Sequence, residues 1–174
     1  TQATQIDDLK TGGVDMLINI GDGKTINAGM DLTEDEGFAY TDYPRAGYGK
    51  IAFGCDVGPT QFPEVRQAIA YLLDRNDFAK QFTGGYGSVV NGPFGPAQWF
   101  YIETKKDVDE KLNSYPYDPA KAVELLEQAG FTLNESGAEY KEGDGTRYKK
   151  MDDGKLMPLE IKWASAENND VSDL

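Results

Sequence analysis

Residues 62–82, FPEVRQAIAYLLDRNDFAKQF, constrain the fold of this chain more than any other stretch. Val65, Ala68, Ile69, Leu72 and Leu73 recur at spacings of three and four. A helix through them gathers a core face on one side and leaves Arg66, Gln67 and Asn76 nearer the water. Pro63 suits the first turn, where its missing N–H has no intrahelical use, and Glu64 puts negative charge where the helix dipole favours it. Asp74, with Asp77 three residues on, is placed to cap a second turn, so residues 68–82 are one bent helix or two short ones; two are favoured.

The pattern on either side is that of an α/β chain. Thr4 caps a short helix over 5–11 that Gly12 and Gly13 stop, with Ile6 and Leu9 facing inward. Residues 14–20, VDMLINI, then predict a buried strand, and 21–24 a tight turn. Residues 39–43 are a weaker strand candidate, and 48–55, YGKIAFGC, a second good one. After Phe82 a run rich in Gly and Pro forms a loop displaying Tyr86, Phe94, Trp99, Phe100 and Tyr101, followed by a charged helix over 103–112. The clearest helix starts at Asp118, whose carboxylate caps it. Pro119 takes its first position, Ala122, Leu125, Leu126 and Ala129 form its buried stripe, and Gly130 ends it. Residues 137–150 are a polar hairpin or arm turning at 143–145, and a second turn at 152–154 leads into 156–164, whose LEIKW core alternates like a half-buried strand. The chain then stops where a packing partner for that strand is expected. With 174 residues, 39% hydrophobic, one lobe spanning 1–174 is the economical organisation.

Charge and missing residue types narrow the chemistry. Seventeen Lys and Arg stand against 30 Asp and Glu, a formal charge of -13 that makes nucleic acids and anionic membranes poor partners and favours cations or cationic peptides. Histidine is absent, which removes the imidazole base and the histidine zinc ligand. Cys55 is alone, so no disulfide forms within the chain, a pattern shared by reducing compartments and by many exported proteins. The sequence holds neither a secretion signal nor eighteen consecutive apolar residues, and a mature protein also lacks its signal.

No catalytic constellation emerges. GDGKT at 21–25 lacks the spacing of a phosphate-cradling loop, and GGYGSVVNG does not join a strand to a helix as a dinucleotide fingerprint does. Asp31, Glu34, Asp35 and Glu36 lack the ligand order of a calcium loop and suit a solvated acidic loop. Without histidine to activate it, Cys55 is expected to be a small buried hydrophobe. The aromatic residues are more informative. Trp99, in its Gly/Pro-framed loop, and Trp163, at a strand end, are candidate walls of an apolar cleft with Ser165, Glu167 and Asn168 as polar contacts, or else they close the core.

Three segments in order carry a resemblance: VRQAIAYLLDR at 65–75, FTGGYGSVVNGPFGP at 82–96 and YDPAKAVELLEQAGF at 117–131. Together with GGVDML, YGKIAFGCDVGP and LEIKW, they resemble the extracellular solute-binding proteins of the dipeptide and oligopeptide ABC transporter family, often called family 5. That resemblance implies a type II periplasmic-binding-protein-like lobe, α/β with a mixed sheet and flanking helices, incomplete at its C-terminus and forming most of the second lobe of a longer parent. It implies a noncatalytic protein with no cofactor, which captures a peptide or another small solute between this lobe and the first lobe of the same chain. The partners it implies are ABC permease subunits, and the location is extracellular, in a periplasm or lipid-anchored on the outer face of the cytoplasmic membrane. Cys55 lies within the lobe and is not the amino-terminal lipid anchor. The ligand contacts expected from the aromatic residues and the resemblance are Phe53, Cys55, Trp99, Trp163, Ser165, Glu167 and Asn168. Glu167 stands near where peptide-binding relatives place an acidic residue for the ligand amine, and Gly54 replaces the Asn common after the aromatic strand, which leaves peptide, sugar, nickel complex or another small solute open.

Overall fold

The computed structural model describes residues 2–34 and 37–165. The fold is mixed α/β. Among the described residues the order is α1 (Gln2–Lys10), α2 (Gly23–Asp31), α3 (Pro63–Leu72), α4 (Arg75–Thr83), α5 (Trp99–Lys111), α6 (Pro119–Gln128), then strands β1 (Tyr148–Lys150) and β2 (Leu156–Pro158), with 3-10 turns at Leu32–Glu34 and Pro59–Gln61. They divide into two units with separate packing. The first takes residues up to Tyr48 and Arg75–Leu112; the second takes Gly49–Asp74 and Asn113–Ser165.

In the second unit α6 forms as its sequence dictates. The Asp118 Oδ1 accepts the Lys121 N–H at 3.0 Å, Pro119 occupies the first turn, and Gly130, at φ 88°, ends the helix. Its stripe of Ala122, Leu125 and Ala129 is buried against Val65 and Ala68 of α3. Alanines on both sides let the two helices approach closely. Phe131, just past α6, is fully buried and meets Phe62 edge-on at 5.9 Å. β1 and β2 form an antiparallel hairpin in which Lys149 is opposite Met157, and Met157 and Leu159 pack on this core. Two cations tie the hairpin to the end of α6, where the helix dipole is negative. Lys149 lies 4.7 Å from the Phe62 ring and donates to the Ala129 carbonyl, while Arg147 stacks 4.1 Å from the Tyr140 ring and donates to the Phe131 carbonyl at 3.3 Å.

The organising stretch forms two helices, as favoured: Leu73 is extended at φ -89° and ψ 111°, and α4 starts two residues later. Leu72, Arg66 and Gln67 depart from the expected faces, Gln67 being half-buried. Leu72 is exposed, because α6 meets Ala68 and Tyr71 at this end. Arg66 is half-buried rather than solvated, donating through Nη1 to the carbonyls of Thr60 at 2.7 Å and Gln61 at 3.0 Å, which fixes the turn ahead of α3.

In the first unit α1 packs on α2 through the buried Ile6, but α1 starts ahead of Thr4, which therefore lies inside the helix instead of capping it. The turn expected at 21–24 is the start of α2. Its cap is Asp22, whose Oδ1 accepts the Thr25 N–H at 2.8 Å. The start of α2 also meets the residues after α4, where a Cβ on Gly23 would stand 2.5 Å from the Gly84 nitrogen.

The strands expected at 14–20, 39–43 and 48–55 are not strands, and the one expected over 156–164 is confined to Leu156–Pro158. A strand exists only beside a partner about 4.8 Å away that takes its N–H and C=O groups. Among the described residues the only such sheet is β1 with β2. Met16, Ile18 and Ile51 are accordingly exposed, where burial on a sheet was expected. β2 loses its partner as the opposing chain turns at Gly145, φ 83°; after the Leu159 N–H to Arg147 carbonyl bond at 2.8 Å the segment leads on without a ladder partner among the described residues. Within these residues the mixed sheet implied by the resemblance is one hairpin, with Leu133 bridged to Tyr148 beside it.

Candidate functional site

The aromatic residues around the start of α5 form the best-defined exposed apolar group of the first unit. Glycines at positive φ, Gly84 at 64°, Gly85 at 96° and Gly92 at 119°, turn the chain between α4 and this point. Gln98 is extended at φ -74° and ψ 130°, and α5 begins at Trp99, not at 103 as the charge pattern predicts, so Trp99 opens a helix instead of sitting in the loop. Tyr101 turns inward at 8% exposure, and Phe94 packs on it at 5.5 Å and on Phe100 at 5.3 Å. Trp99 stays outside at 71% exposure, edge-on to Phe100 at 6.1 Å. Phe100, itself backed by Phe94, is thus the ring that meets an indole left largely to solvent. Next to it the Gln98 Oε1 is buried without a hydrogen-bond donor among the described residues, a state that costs about 1–3 kcal/mol.

The charged side of α5 carries i,i+4 pairs: Lys105 with Asp109, Lys106 with Glu110, and Asp107 with Lys111. The Asp109 carboxylate, hydrogen-bonded to Lys105, holds that ammonium above its usual pKa. Exposed pairs of this kind stabilise a helix only slightly.

Of the remaining expected contacts, Phe53, Cys55, Trp163 and Ser165 belong to the second unit. Phe53 is half-buried. Cys55, expected to be buried, is an exposed free thiol whose Sγ–H donates to the Phe53 carbonyl at 3.5 Å. Its exposure follows from the missing strand at 48–55, since among the described residues no strand partner lies along that segment. Trp163 is 61% exposed and Ser165 is exposed, while Glu167 and Asn168 lie outside the described residues. Neither tryptophan closes a core within its unit. Phe53 and Cys55 are neighbours, Trp163 and Ser165 are neighbours, and Trp99 is in the other unit, so no single unit gathers the whole set.

Two concavities of the second unit lie elsewhere. One of about 380 Å³ is lined by Asn134, Glu135, Ser136 and Asp144, and one of about 440 Å³ by the 151–157 turn; both are open hairpin surfaces. In the first, Asp144 accepts the Lys141 N–H at 2.8 Å and the Asn134 amide at 3.1 Å, which together hold its carboxyl below the usual range. Its oxygens serve the turn. Among the described residues no group of three or more acidic or cysteine side chains converges to hold a metal ion, and no helix is long and apolar enough to cross a membrane.

Trp99 in the first unit and Trp163 in the second each expose an indole, a group whose apolar face suits contact with an amphipathic molecule. The grouping of Phe94, Phe100 and Tyr101 behind Trp99 is a tertiary feature with one sequence signal, four aromatic residues within eight positions.

Comparison with known proteins bears on what such a surface serves. The family model described as bacterial extracellular solute-binding proteins, family 5 Middle, matches residues 1–161. A heme-binding protein A of Haemophilus influenzae is 33% identical over 81 residues, 47% of this chain and 14% of that protein. A glutathione-binding protein of Pectobacterium atrosepticum is 30% identical over 100 residues, 58% of this chain and 18% of that protein. Di/tripeptide-binding protein 1 of Pseudomonas aeruginosa is 38% identical over 88 residues, 49% of this chain and 15% of that protein. The matched segments thus span between 14% and 18% of these relatives. No solved structure matches the chain.

Proposed function

The chain belongs to the bacterial extracellular solute-binding proteins of family 5, and on that footing we propose that it is part of the second lobe of a two-lobe protein that captures an extracellular solute and hands it to the permease subunits of an ABC importer. The match over residues 1–161 carries this proposal. Binding is reversible and no bond is made or broken. The solute is a peptide, a class favoured by the likeness to the glutathione-binding and di/tripeptide-binding proteins. A non-peptide solute, a sugar or another small molecule, is the second reading, and the heme-binding relative favours it. The protein works outside the cytoplasmic membrane, free in a periplasm or held by a lipid anchor.

Trp99 and Trp163 supply apolar faces to the solute, with Phe53, Cys55 and Ser165 as further contacts and Glu167 and Asn168 as polar partners. The exposure of each tryptophan within its own unit supports this role, because a core tryptophan would be covered. Native mass spectrometry of the full-length protein, purified gently, tests the proposal. A discrete peptide released from it establishes the solute class; a released sugar or other solute favours the second reading. Replacing Trp99 or Trp163 by Ala is expected to weaken solute binding at least about tenfold, which is 1.4 kcal/mol, with the melting temperature unchanged. Loss of stability without loss of affinity would assign both indoles to structure instead.

A further inference from the structure

Asn91 and Gly92 sit in the turn-rich segment between α4 and α5, and no other asparagine of the chain precedes glycine. We propose that Asn91 is a site of spontaneous covalent modification, at which the side-chain amide is converted to a carboxylate with the Gly92 nitrogen as internal nucleophile. The Gly92 nitrogen gives up its proton to solvent base and attacks the Asn91 Cγ. A five-membered cyclic imide closes and the amide nitrogen leaves as ammonia, taking up one proton. Water then adds to one of the two imide carbonyls. Opening on one side gives aspartate; opening on the other routes the main chain through the side-chain carboxyl and gives isoaspartate. One water is consumed, one ammonia is released, and no oxidant or reductant takes part.

Several features of the fold favour this reaction at Asn91. Gly92 has no Cβ to obstruct the ring closure and stands at φ 119°, a conformation other residues rarely adopt. Its N–H makes no hydrogen bond among the described residues, so loss of that proton breaks no contact. The guanidinium of Arg75 donates to the Asn91 Oδ1 at 3.4 Å and to the Val90 carbonyl at 3.2 Å. A cation on the amide oxygen draws electron density from Cγ and stabilises the oxyanion formed on addition.

The three Asp-Gly pairs offer the same following glycine without the same opportunity. Gly23 is buried at the start of α2. Asp144 accepts the Lys141 N–H at 2.8 Å, and Asp153 pairs with the Lys155 ammonium at 2.9 Å and accepts the Lys155 N–H at 3.0 Å. Both carboxyls are held below their usual pKa, in the ionised form that resists nucleophilic attack. An amide needs no protonation to react. The two products also differ in outcome: aspartate at 91 places a new carboxylate against Arg75, whereas isoaspartate lengthens the main chain and withdraws the Val90 carbonyl from it.

The test is peptide mapping by mass spectrometry of the full-length protein held folded at mildly alkaline pH, with chromatographic separation of aspartate and isoaspartate forms. Conversion at Asn91 is expected to outpace every other asparagine by at least about tenfold, a barrier difference of about 1.4 kcal/mol, and to be no slower in the folded protein than in urea. Arg75→Lys should slow conversion in the folded protein and leave the rate in urea unchanged. Because a Cβ at Gly92 would stand 2.6 Å from the Phe94 ring and so disturb the fold, Asn91→Gln serves as the control that abolishes the signal. Protection of Asn91 by folding, an Arg75→Lys rate equal to that of the parent, or persistence of the signal in Asn91→Gln overturns the proposal.

Discussion

Replacing Phe131 by Ala tests the packing of the second unit at its most enclosed point. The ring is at 0% exposure, meets Phe62 edge-on at 5.9 Å, and shares a cluster with Val65 and Ala129. A buried aromatic side chain removes about 150–250 Å² from water, worth about 4–6 kcal/mol at about 25 cal/mol per Å². The methyl left by alanine retains about 1 kcal/mol of that, so the expected loss is about 3–5 kcal/mol, the range found for aromatic truncations in cores. That is a large share of the roughly 5–15 kcal/mol that stabilises a typical domain. Urea unfolding of the full-length protein, followed by hydrogen exchange at the amides of α3 and α6, reads the loss where it arises. A double-mutant cycle with Phe62→Leu should recover about 0.5–1.5 kcal/mol of coupling for the edge-on pair. A loss under about 1 kcal/mol, or faster exchange spread evenly over both units, would refute the placement of Phe131 at the centre of the α3–α6 core.

Asp118→Ala removes the side-chain acceptor of the Lys121 N–H and should cost about 0.5–2 kcal/mol, seen as fraying of α6 by hydrogen exchange; unchanged protection of its first turn would count against the cap. Gly23→Ala gains up to about 1 kcal/mol of helix propensity but sets a Cβ 2.5 Å from the Gly84 backbone. The net effect is expected to be a loss of about 1–3 kcal/mol, read as a lower melting temperature, and a rise would disprove the close approach. The Asp144 carboxyl is held below its ordinary 3.8 by the Lys141 N–H and the Asn134 amide. Its folded value is thus depressed, so its contribution is complete above pH 3.8 and is lost as pH falls through the folded value. A carbon-13 NMR titration of Asp144 with a midpoint at or above 3.8 would contradict those bonds, and Asp144→Asn should remove that part of the acid dependence.

Part of the site was legible in the sequence. Trp99 stands out as an indole among glycines and prolines, and its exposure agrees with a role at a surface. Its position at the first turn of α5 was not legible, because the helix starts on aromatic residues without a capping side chain. Cys55 departs from expectation for a related reason: a small thiol at the end of a segment is covered only where that segment has neighbours, and Cys55 is exposed. The aromatic group of Phe94, Phe100 and Tyr101 depends on the chain folding back through Gly92 and Gly95, which spacing alone does not specify.

The sequence by itself determined the helices whose information is local. In α6 the cap at Asp118, Pro119, the apolar stripe and Gly130 all act within a few residues of one another. The break between α3 and α4 and the hairpin turn at 152–154 are likewise written at short range. Only the tertiary structure decided the fate of VDMLINI, YGKIAFGC and LEIKW. Their alternation and β-branched residues state a preference for extended backbone, but a ladder closes through N–H and C=O groups on another segment. Such a partner is specified by long-range topology, and among the described residues Tyr148–Lys150 and Leu156–Pro158 form the one ladder, with Leu133 bridged to Tyr148 and Glu139.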